Sequence, residues 1–225
     1  MLKGQLHTHT TFSDGNMTPQ EVADVYAGMG FGFLAFTDHD HLLKPLYREA
    51  IAAVRSELMI FFGIELTVPC RKGYVHVSRI EGEQDVLYIF NHPAVYDLSL
   101  RETLNCLVEV GGRYPLDVVE VTHHGFPTPQ FDTPEVGLPR VAADDSHDLS
   151  GCGRGWIELD CAREKDAIIS AIREGRFRNG YAGRAPTISE SRNSKMYFLG
   201  LNSILISFSF FTFFSSLSFE YSIFS

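Results

Sequence analysis

Short apolar runs alternate with amphipathic stretches along the first 190 residues. Apolar runs of this length predict strands, and apolar positions spaced three or four apart predict helices. Strands are predicted at residues 3–9, 33–37, 59–65, 74–80, 86–90, 117–122, 140–143 and 156–159, and helices at 19–29, 45–57, 100–110 and 164–174. Such an alternation favours a parallel sheet covered by helices, either open or closed.

The first helix has the clearest predicted start. Thr18 suits the N-cap, Pro19 suits the first helical position, and Glu21 completes a T-x-x-E capping box. Gly30 suits the end of the helix. The last helix shows Ile168, Ile169 and Ile172 as one apolar stripe, so this face is expected to be buried.

Polar motifs come directly after the predicted strands. HTH follows the first strand, DHD the second and NHP the strand at 86–90, while DDSH follows the one at 140–143 and Glu65 ends the third. The carboxyl ends of strands in a βα-barrel converge on one mouth, whereas an open sheet gathers fewer strand ends at its switch point. The pattern therefore favours a closed barrel with its chemistry at that mouth.

The residues in these motifs are of the types that bind divalent metals. His7 and His9 are two apart on a predicted strand, so their side chains point the same way. An H-x-H pair is a weak signal alone, because it occurs by chance. Burial of Asp14, Glu65 and Asp145 without compensation would cost several kcal/mol each, and divalent cations offset such a cost. Imidazole and carboxylate groups are suitable ligands.

The ordered set HTHTTFSDG, TDHDH, GIE, NHP, DDSH and AIREGRF resembles the polymerase and histidinol phosphatase (PHP) domain family over about residues 4–186. The resemblance implies a distorted (β/α)7 TIM-like barrel with two to three divalent ions (manganese, zinc or iron) at the carboxyl ends of the strands. It also implies three ligand sets. These are His7, His9, Glu65 and Asp145; Asp14, His39 and His147; and Glu65, His76 and His92, with Glu65 bridging. Only spacing supports His76.

The expected activity is that of a metal-dependent phosphoesterase. Clustered divalent ions generate a hydroxide nucleophile near neutral pH and offset the charge of a phosphate. The expected substrate is a small phosphorylated metabolite or nucleotide, which Arg154 in GCGRGW would grip, unless it is a surface arginine in a turn. Three alternatives stay open: an exonuclease on short RNA or DNA ends, a non-catalytic, metal-stabilised binding module, and, least favoured, C–N hydrolysis of the amidohydrolase type.

Composition narrows the class of protein. The chain has 225 residues, of which 44% are hydrophobic, and a net charge of −9. One large domain is expected, and an extended nucleic-acid partner is not. The four cysteines show no C-x-x-C spacing, which disfavours a zinc ribbon. The first residues lack a signal-peptide core, so we expect a cytoplasmic protein with free thiols.

The segment 191–225 differs from the domain expected at 1–190. Residues 196–225 contain eight Phe, eight Ser and the single charge of Glu220. The length permits a membrane span, but the recurring serines argue against one. Three interpretations stay open: an aberrant or poorly ordered end, which we favour, a membrane or partner anchor, and terminal strands.

Overall fold

The computed structural model describes residues 1–183, which contain eleven strands and four α-helices. In chain order they are β1 (Leu2–Gln5), α1 (Pro19–Gly28), β2 (Phe33–Phe36), α2 (Tyr47–Ala53), β3 (Met59–Cys70), β4 (Gly73–Glu81), β5 (Val86–Phe90), α3 (Leu100–Gly111), β6 (Val118–Glu120), β7 (Thr122–His123), β8 (Phe126–Pro127), β9 (Arg140–Val141), β10 (Gly155–Leu159), α4 (Lys165–Arg173) and β11 (Phe177–Tyr181).

Nine of the strands form one nearly closed barrel. Their order is β11-β10-β1-β2-β3-β4-β5-β6-β9, and β7 and β8 form a separate small hairpin. Asn179 of β11 bridges to the strand at the other edge of the sheet. Its Oδ1 accepts a hydrogen bond from the Ala142 amide at 2.9 Å, and its Nδ2 donates to the Arg140 carbonyl at 3.0 Å. The expected barrel is therefore confirmed.

The strand pairing is more mixed than the predicted parallel sheet. Parallel pairs join β1 to β2, β2 to β3, β5 to β6 and β6 to β9. Antiparallel pairs join β1 to β10, β10 to β11, β3 to β4 and β4 to β5. Only two residues separate β3 from β4, and a connection that short permits a hairpin but no parallel crossover.

Three apolar clusters support this sheet. The first fills the barrel interior and includes Phe33, Phe61 and the predicted stripe of α4. The second packs α3 against the β3–β4 hairpin, and the third packs α1 and α2 outside β2 and β3. The apolar side chains thus occupy the interior and the outer layer, which leaves the mouth of the barrel to polar groups.

Several predicted boundaries were wrong. β1 ends at Gln5, before the two histidines, and β3 runs to Cys70, so Glu65 lies within a strand. α2 covers only Tyr47–Ala53, because Leu46 before it adopts a left-handed backbone with φ of 64° and Val54 after it leaves the helical region with ψ of 131°. β11 was missed, since FRNGY has a glycine and few apolar residues. The start of α1 was right, including both hydrogen bonds of the capping box.

None of the helices within residues 1–183 is long and apolar enough to cross a bilayer. The predictions for segment 191–225, and for a boundary at residue 190, lie outside the described residues.

Candidate metal centre

His7 and His9 lie directly after β1, in backbone that stays extended between two neighbouring segments. The Thr8 amide donates to Thr37 Oγ1 at 3.1 Å, and the His9 amide donates to the Ser146 carbonyl at 2.9 Å. These bonds keep the backbone extended after β1 has ended, so the side chains of His7 and His9 still point to the same side. The two Nε2 atoms consequently lie 3.1 Å apart in a buried position.

Glu65 is the centre of the site. Its carboxylate is fully buried and lies close to five imidazole rings. The distances to ring nitrogens are 3.3 Å for His7, 3.4 Å for His9, 2.9 Å for His39, 3.2 Å for His76 and 3.0 Å for His92. The side-chain amide of Asn91 donates to Glu65 Oε1 at 2.7 Å, the same oxygen that His7, His76 and His92 approach.

Asp145 supplies the second buried carboxylate. Its Oδ1 lies 3.4 Å from His7 Nε2 and 3.2 Å from His9 Nε2. Asp145 has a left-handed φ of 49°, and His92 has a φ of 25°. Such backbone is costly for residues other than glycine and tends to occur where a side chain must be aimed at a site. We refer to His7, His9, Glu65, His92 and Asp145 as the inner group.

A more exposed set lies beside it, made of Asp14, His39 and His147, which we refer to as the outer group. Carboxylate oxygens of Asp14 lie 3.6 Å from His39 Nε2 and 3.4 Å from His147 Nε2, and 3.6 Å from His9 Nδ1. Asp14 is 41% exposed and His147 is 28% exposed. The outer group therefore faces solvent on one side and the inner group on the other.

The structure brings all nine predicted ligands together. Four overlapping groups have ligand atoms within 4.8 Å of one another: His9, Asp14, His39 and His147; His7, His92 and Asp145; His7, His9 and Glu65; and His39, Glu65 and His76. The division differs from the expected sets in several respects: His9 also joins the outer group, and Asp145 is separated from Glu65. His92 is grouped with His7 and Asp145, whereas His76 is grouped with His39.

The donor set fits divalent cations. In the described part of the chain, three buried atoms of the site have no hydrogen-bond partner: His39 Nδ1, Glu65 Oε2 and His76 Nδ1. His39 Nδ1 lies 2.9 Å from Glu65 Oε2, yet their geometry is not that of a hydrogen bond. Buried polar groups are rarely left unpaired in this way. Imidazole nitrogens and carboxylate oxygens that converge without pairing are suitable ligands for a metal.

The charges of the inner group depend on one another. Burial alone would raise the pKa of Glu65, but His7, His39 and His76 hold it well below its usual range. Burial likewise opposes the low pKa of Asp145, which His7 and His9 maintain. In return the buried carboxylates raise the pKa of His7 well above 6.5 although burial works against this. The protein without metal thus holds protons where a cation would bind.

Comparison with known families adds a second line of evidence. Residues 5–174 match the PHP domain model, which is well over half of the chain. The chain belongs to the PHP domain family. Members of this family are metal-dependent phosphoesterases, and the residues of the candidate centre all lie within the matched range.

Two curated relatives of this PHP domain have named activities. The 5'-3' exoribonuclease Rnm of Salmonella typhimurium is 31% identical over 99 residues, which are 44% of this chain and 32% of the relative. The 3',5'-nucleoside bisphosphate phosphatase of Chromobacterium violaceum is 39% identical over 72 residues, which are 32% of this chain and 25% of the relative. The alignments thus span about a third or less of these curated relatives.

Solved structures share the fold. A two-domain protein from Bacteroides vulgatus that contains a PHP-like metal-dependent phosphoesterase matches 80% of this chain and 64% of its own, with a TM-score of 0.58 and 18% identity. An amidohydrolase from Chromobacterium violaceum matches 78% of this chain and 97% of its own, with a TM-score of 0.58 and 15% identity. At these identities the likeness concerns the fold alone.

Sequence reasoning missed two residues that orient histidines of this PHP domain. Glu120 Oε2 lies 2.8 Å from His7 Nδ1, and Thr122 donates to the other oxygen of Glu120. A carboxylate only accepts, so the proton of His7 sits on Nδ1 and Nε2 faces the centre. Tyr96 Oη lies 3.2 Å from His92 Nδ1. A charged residue inside the apolar run DVVEV was the available signal for Glu120; Tyr96 had none.

Arg154 lies just before β10, beside the β7–β8 hairpin. Its guanidinium lies 5.1 Å from the centre of the Phe126 ring. A Cβ on Gly125, which has φ of 79°, would lie 2.4 Å from the Arg154 Cβ, so only glycine permits this approach. The same hairpin carries His124, whose Nδ1 lies 3.5 Å from Asp145 Oδ2. Arg154 is thus a neighbour of the segment that borders the centre.

Proposed function

We propose that this PHP domain is a phosphoesterase that hydrolyses a small phosphorylated metabolite or nucleotide at the candidate metal centre. One observation carries the proposal: four overlapping donor groups converge at the mouth of the barrel, with an inner group that is buried and an outer group that is open to solvent. A buried structural metal site would have no reason to keep such an open side.

The nine ligands would hold two to three divalent ions, of manganese, zinc or iron. Bound there, such ions would offset the charge of a phosphate and lower the pKa of a coordinated water toward neutrality. The chain itself supplies orientation. Glu120 keeps the proton of His7 on Nδ1, and Tyr96 Oη lies 3.2 Å from His92 Nδ1, so both residues hold a ring whose Nε2 faces the centre.

We propose that Arg154 binds the phosphate of the substrate. The fork of its guanidinium matches two oxygens of a phosphate. The stacking on Phe126 and the close approach permitted by Gly125 limit the positions of this side chain. The Arg154 guanidinium would then bind oxygens of the substrate phosphate while the phosphorus atom lies over the outer group.

A second candidate function keeps the chemistry and changes the substrate. The likeness to the exoribonuclease Rnm favours hydrolysis of short RNA or DNA ends. The net charge of −9 favours the small substrate, because oligonucleotide binding depends on a basic track along the backbone.

The experiment that tests the proposal is phosphate release from a panel of substrates by the full chain, with manganese and then with zinc. The panel holds sugar phosphates, nucleoside mono- and bisphosphates and short oligonucleotides. We expect release from a small substrate, and its loss in Asp145→Ala. Activity that persists in Asp145→Ala would refute the assignment, and metal binding without turnover would favour the binding module. Activity on oligonucleotides alone, with a steep salt dependence, would favour the exonuclease.

A further inference from the structure

The β3–β4 hairpin extends beyond the mouth of the barrel. β2 pairs with β3 only from Phe33 opposite Met59 to Phe36 opposite Phe62. β3 then continues to Cys70, paired with β4 on one side and joined on the other to the segment after β2 by an isolated bridge between Glu65 and His39. The carboxyl end of β2 lies at the mouth, so the part of β3 after Phe62 rises past it as one side wall of the candidate centre.

The inner face of this wall leads from the metal centre to the tip. Side chains on one face of a strand recur every second residue. Glu65 pairs with Ser78, Thr67 pairs with His76, and Pro69 pairs with Tyr74. Glu65 and His76 are ligands of the candidate centre, so Tyr74 is the next side chain of β4 on the same face, one step further toward solvent.

The outer face of the wall is fastened to α3. Val68, Val75 and Val77 are buried in the cluster that α3 completes. At the tip, Cys70 Sγ lies 3.4 Å from Cys106 Sγ, and Lys72 pairs with Glu102 at 2.6 Å. These contacts hold the hairpin on its outer side. The position of Tyr74 is therefore fixed by the backbone rather than by packing of its own ring.

Tyr74 itself is a large aromatic residue that packs in none of the three apolar clusters of the described chain. It is 57% exposed. Its ring lies 5.5 Å from that of His76, with 32° between the two planes. An aromatic face that is open to solvent and directly adjoins a metal ligand is available to a substrate bound at the centre.

We propose that Tyr74 is a stacking platform for the nucleobase of the substrate, which makes the substrate a nucleotide rather than a sugar phosphate. The inference rests on the proposed function. Two residues along a strand span about 7 Å, so Tyr74 lies about that far beyond His76 along β4. A ribose between a phosphate and a base bridges a distance of this order. A phosphate held at the centre would thus place its base beside Tyr74. Aromatic stacking tolerates any base, because each has a π-face.

The test compares two substrates that both carry a secondary phosphate monoester, of which only the first has a nucleobase: adenosine 3',5'-bisphosphate and glycerol 2-phosphate. We expect Tyr74→Ala to lower the ratio of their kcat/KM values about tenfold, mainly through KM of the bisphosphate. Tyr74→Leu, which keeps apolar area without a π-face, should lose the preference, and Tyr74→Phe should retain it. Val108→Ala, a change at a still more exposed apolar residue of α3, is the control. An unchanged ratio in Tyr74→Ala overturns the proposal.

Binding separates this inference from the proposed function. If neither substrate is hydrolysed, the proposed function fails, and calorimetric titration of the manganese-loaded protein with adenosine monophosphate decides on the platform. A Kd about tenfold weaker in Tyr74→Ala, with Tyr74→Phe unchanged, supports the platform. Equal affinities in the original protein and in Tyr74→Ala overturn it. Thermal unfolding of each variant identifies any that fails to fold, and Tyr74→Leu then replaces Tyr74→Ala.

Discussion

The inner and outer groups of the metal centre use similar side chains in opposite surroundings. Glu65 and His7 are at most 1% exposed, whereas Asp14 is 41% exposed. A buried carboxylate has no water to replace a missing partner, so each inner residue depends on the others. The outer residues keep water as an alternative. The comparison indicates that the inner group links metal binding to folding, while the outer group serves metal binding alone.

Glu65→Gln should produce the largest effect. The change removes a buried charge that five imidazole rings approach, so both the metal and the fold are affected. We expect loss of bound metal, a fall in kcat of more than about 100-fold, and a free energy of unfolding lower by about 3 kcal/mol in the metal-free protein. Elemental analysis, phosphate release and denaturant titration measure the three quantities. Retention of full metal content would break the distinction between the groups.

Glu120→Gln tests the contact that orients His7 through the ring nitrogen facing away from the centre. The amide can donate to His7 Nδ1 as well as accept from it, so the orientation of the proton on His7 is no longer imposed. We expect metal affinity and kcat to fall by about 10- to 100-fold. Competition with a chelator measures the affinity. Thr103→Val, which changes a buried hydroxyl on α3 outside the centre, serves as the control. Equal effects of the two substitutions would contradict a positioning role for Glu120.

Asp14→Asn should separate metal binding from folding. Asp14 lies close to His9, His39 and His147 but keeps one side in solvent. We expect a metal content lower by one ion and activity lower by at least about tenfold, with a free energy of unfolding of the metal-free protein within about 1 kcal/mol of the original. A loss of stability as large as that of Glu65→Gln would show that the outer group contributes to folding as much as the inner group does.

Acid should act in opposite directions on the protein with and without metal. The buried carboxylates raise the pKa of His7 and His92 against the effect of burial. His7 and His92 therefore contribute stability to the metal-free fold that is complete below pH 6.5 and is lost as pH rises through their raised pKa, whereas burial lowers the pKa of His9, which acts in the opposite direction. A metal must displace these protons, so its stabilisation grows with pH. Thermal unfolding between about pH 5 and 8, with chelator or with manganese, should give opposite slopes; parallel slopes would argue against metal binding at these histidines.

Glu81→Gln should have the smallest effect. Arg48 and Arg79 hold the pKa of Glu81 at about 2, but Arg48 is 60% exposed. The depressed pKa contributes stability above about 4.5 that is lost as pH falls through about 2. Solvent screens such a pair, so we expect a cost below about 1 kcal/mol at neutral pH. Denaturant titration measures it, and a larger cost would show that surface pairs matter here as much as buried ones.

Local patterns predicted most of the framework. The capping box predicted the start of α1 correctly. The apolar runs predicted both ends of β5 correctly and placed the end of β2 one residue too late. β11 was missed because Asn179 and Gly180 carry no strand pattern; they matter through the contact of Asn179 with β9. The end of β1 was misplaced because residues 7–9 keep an extended backbone without a ladder, which no local pattern distinguishes from a strand.

The nine residues predicted as ligands lie together in the structure, but their grouping was not predicted. Eight of them lie in short motifs whose residue types and order pointed to a metal site, whereas only spacing supported His76. The partner of a ligand depends on strand tilt and on how far β3 rises past the mouth, and these are properties of the whole barrel. The family resemblance implied that His76 shares a site with His92, whereas the structure groups His76 with His39 and Glu65. Glu120 and Tyr96 became visible only through their contacts with His7 and His92.

The position of β1 between β2 and β10 has a consequence for the order of folding. β1 pairs with a strand that is made about 150 residues later, as the bond from Gln5 to Gly155 shows. Contacts this far apart in the chain form slowly. A chain emerging from the ribosome carries His7 and His9 long before Asp145 and His147 exist to join them. The complete metal centre thus assembles only when the barrel is nearly finished, and metal uptake at full stoichiometry should mark the last step of maturation.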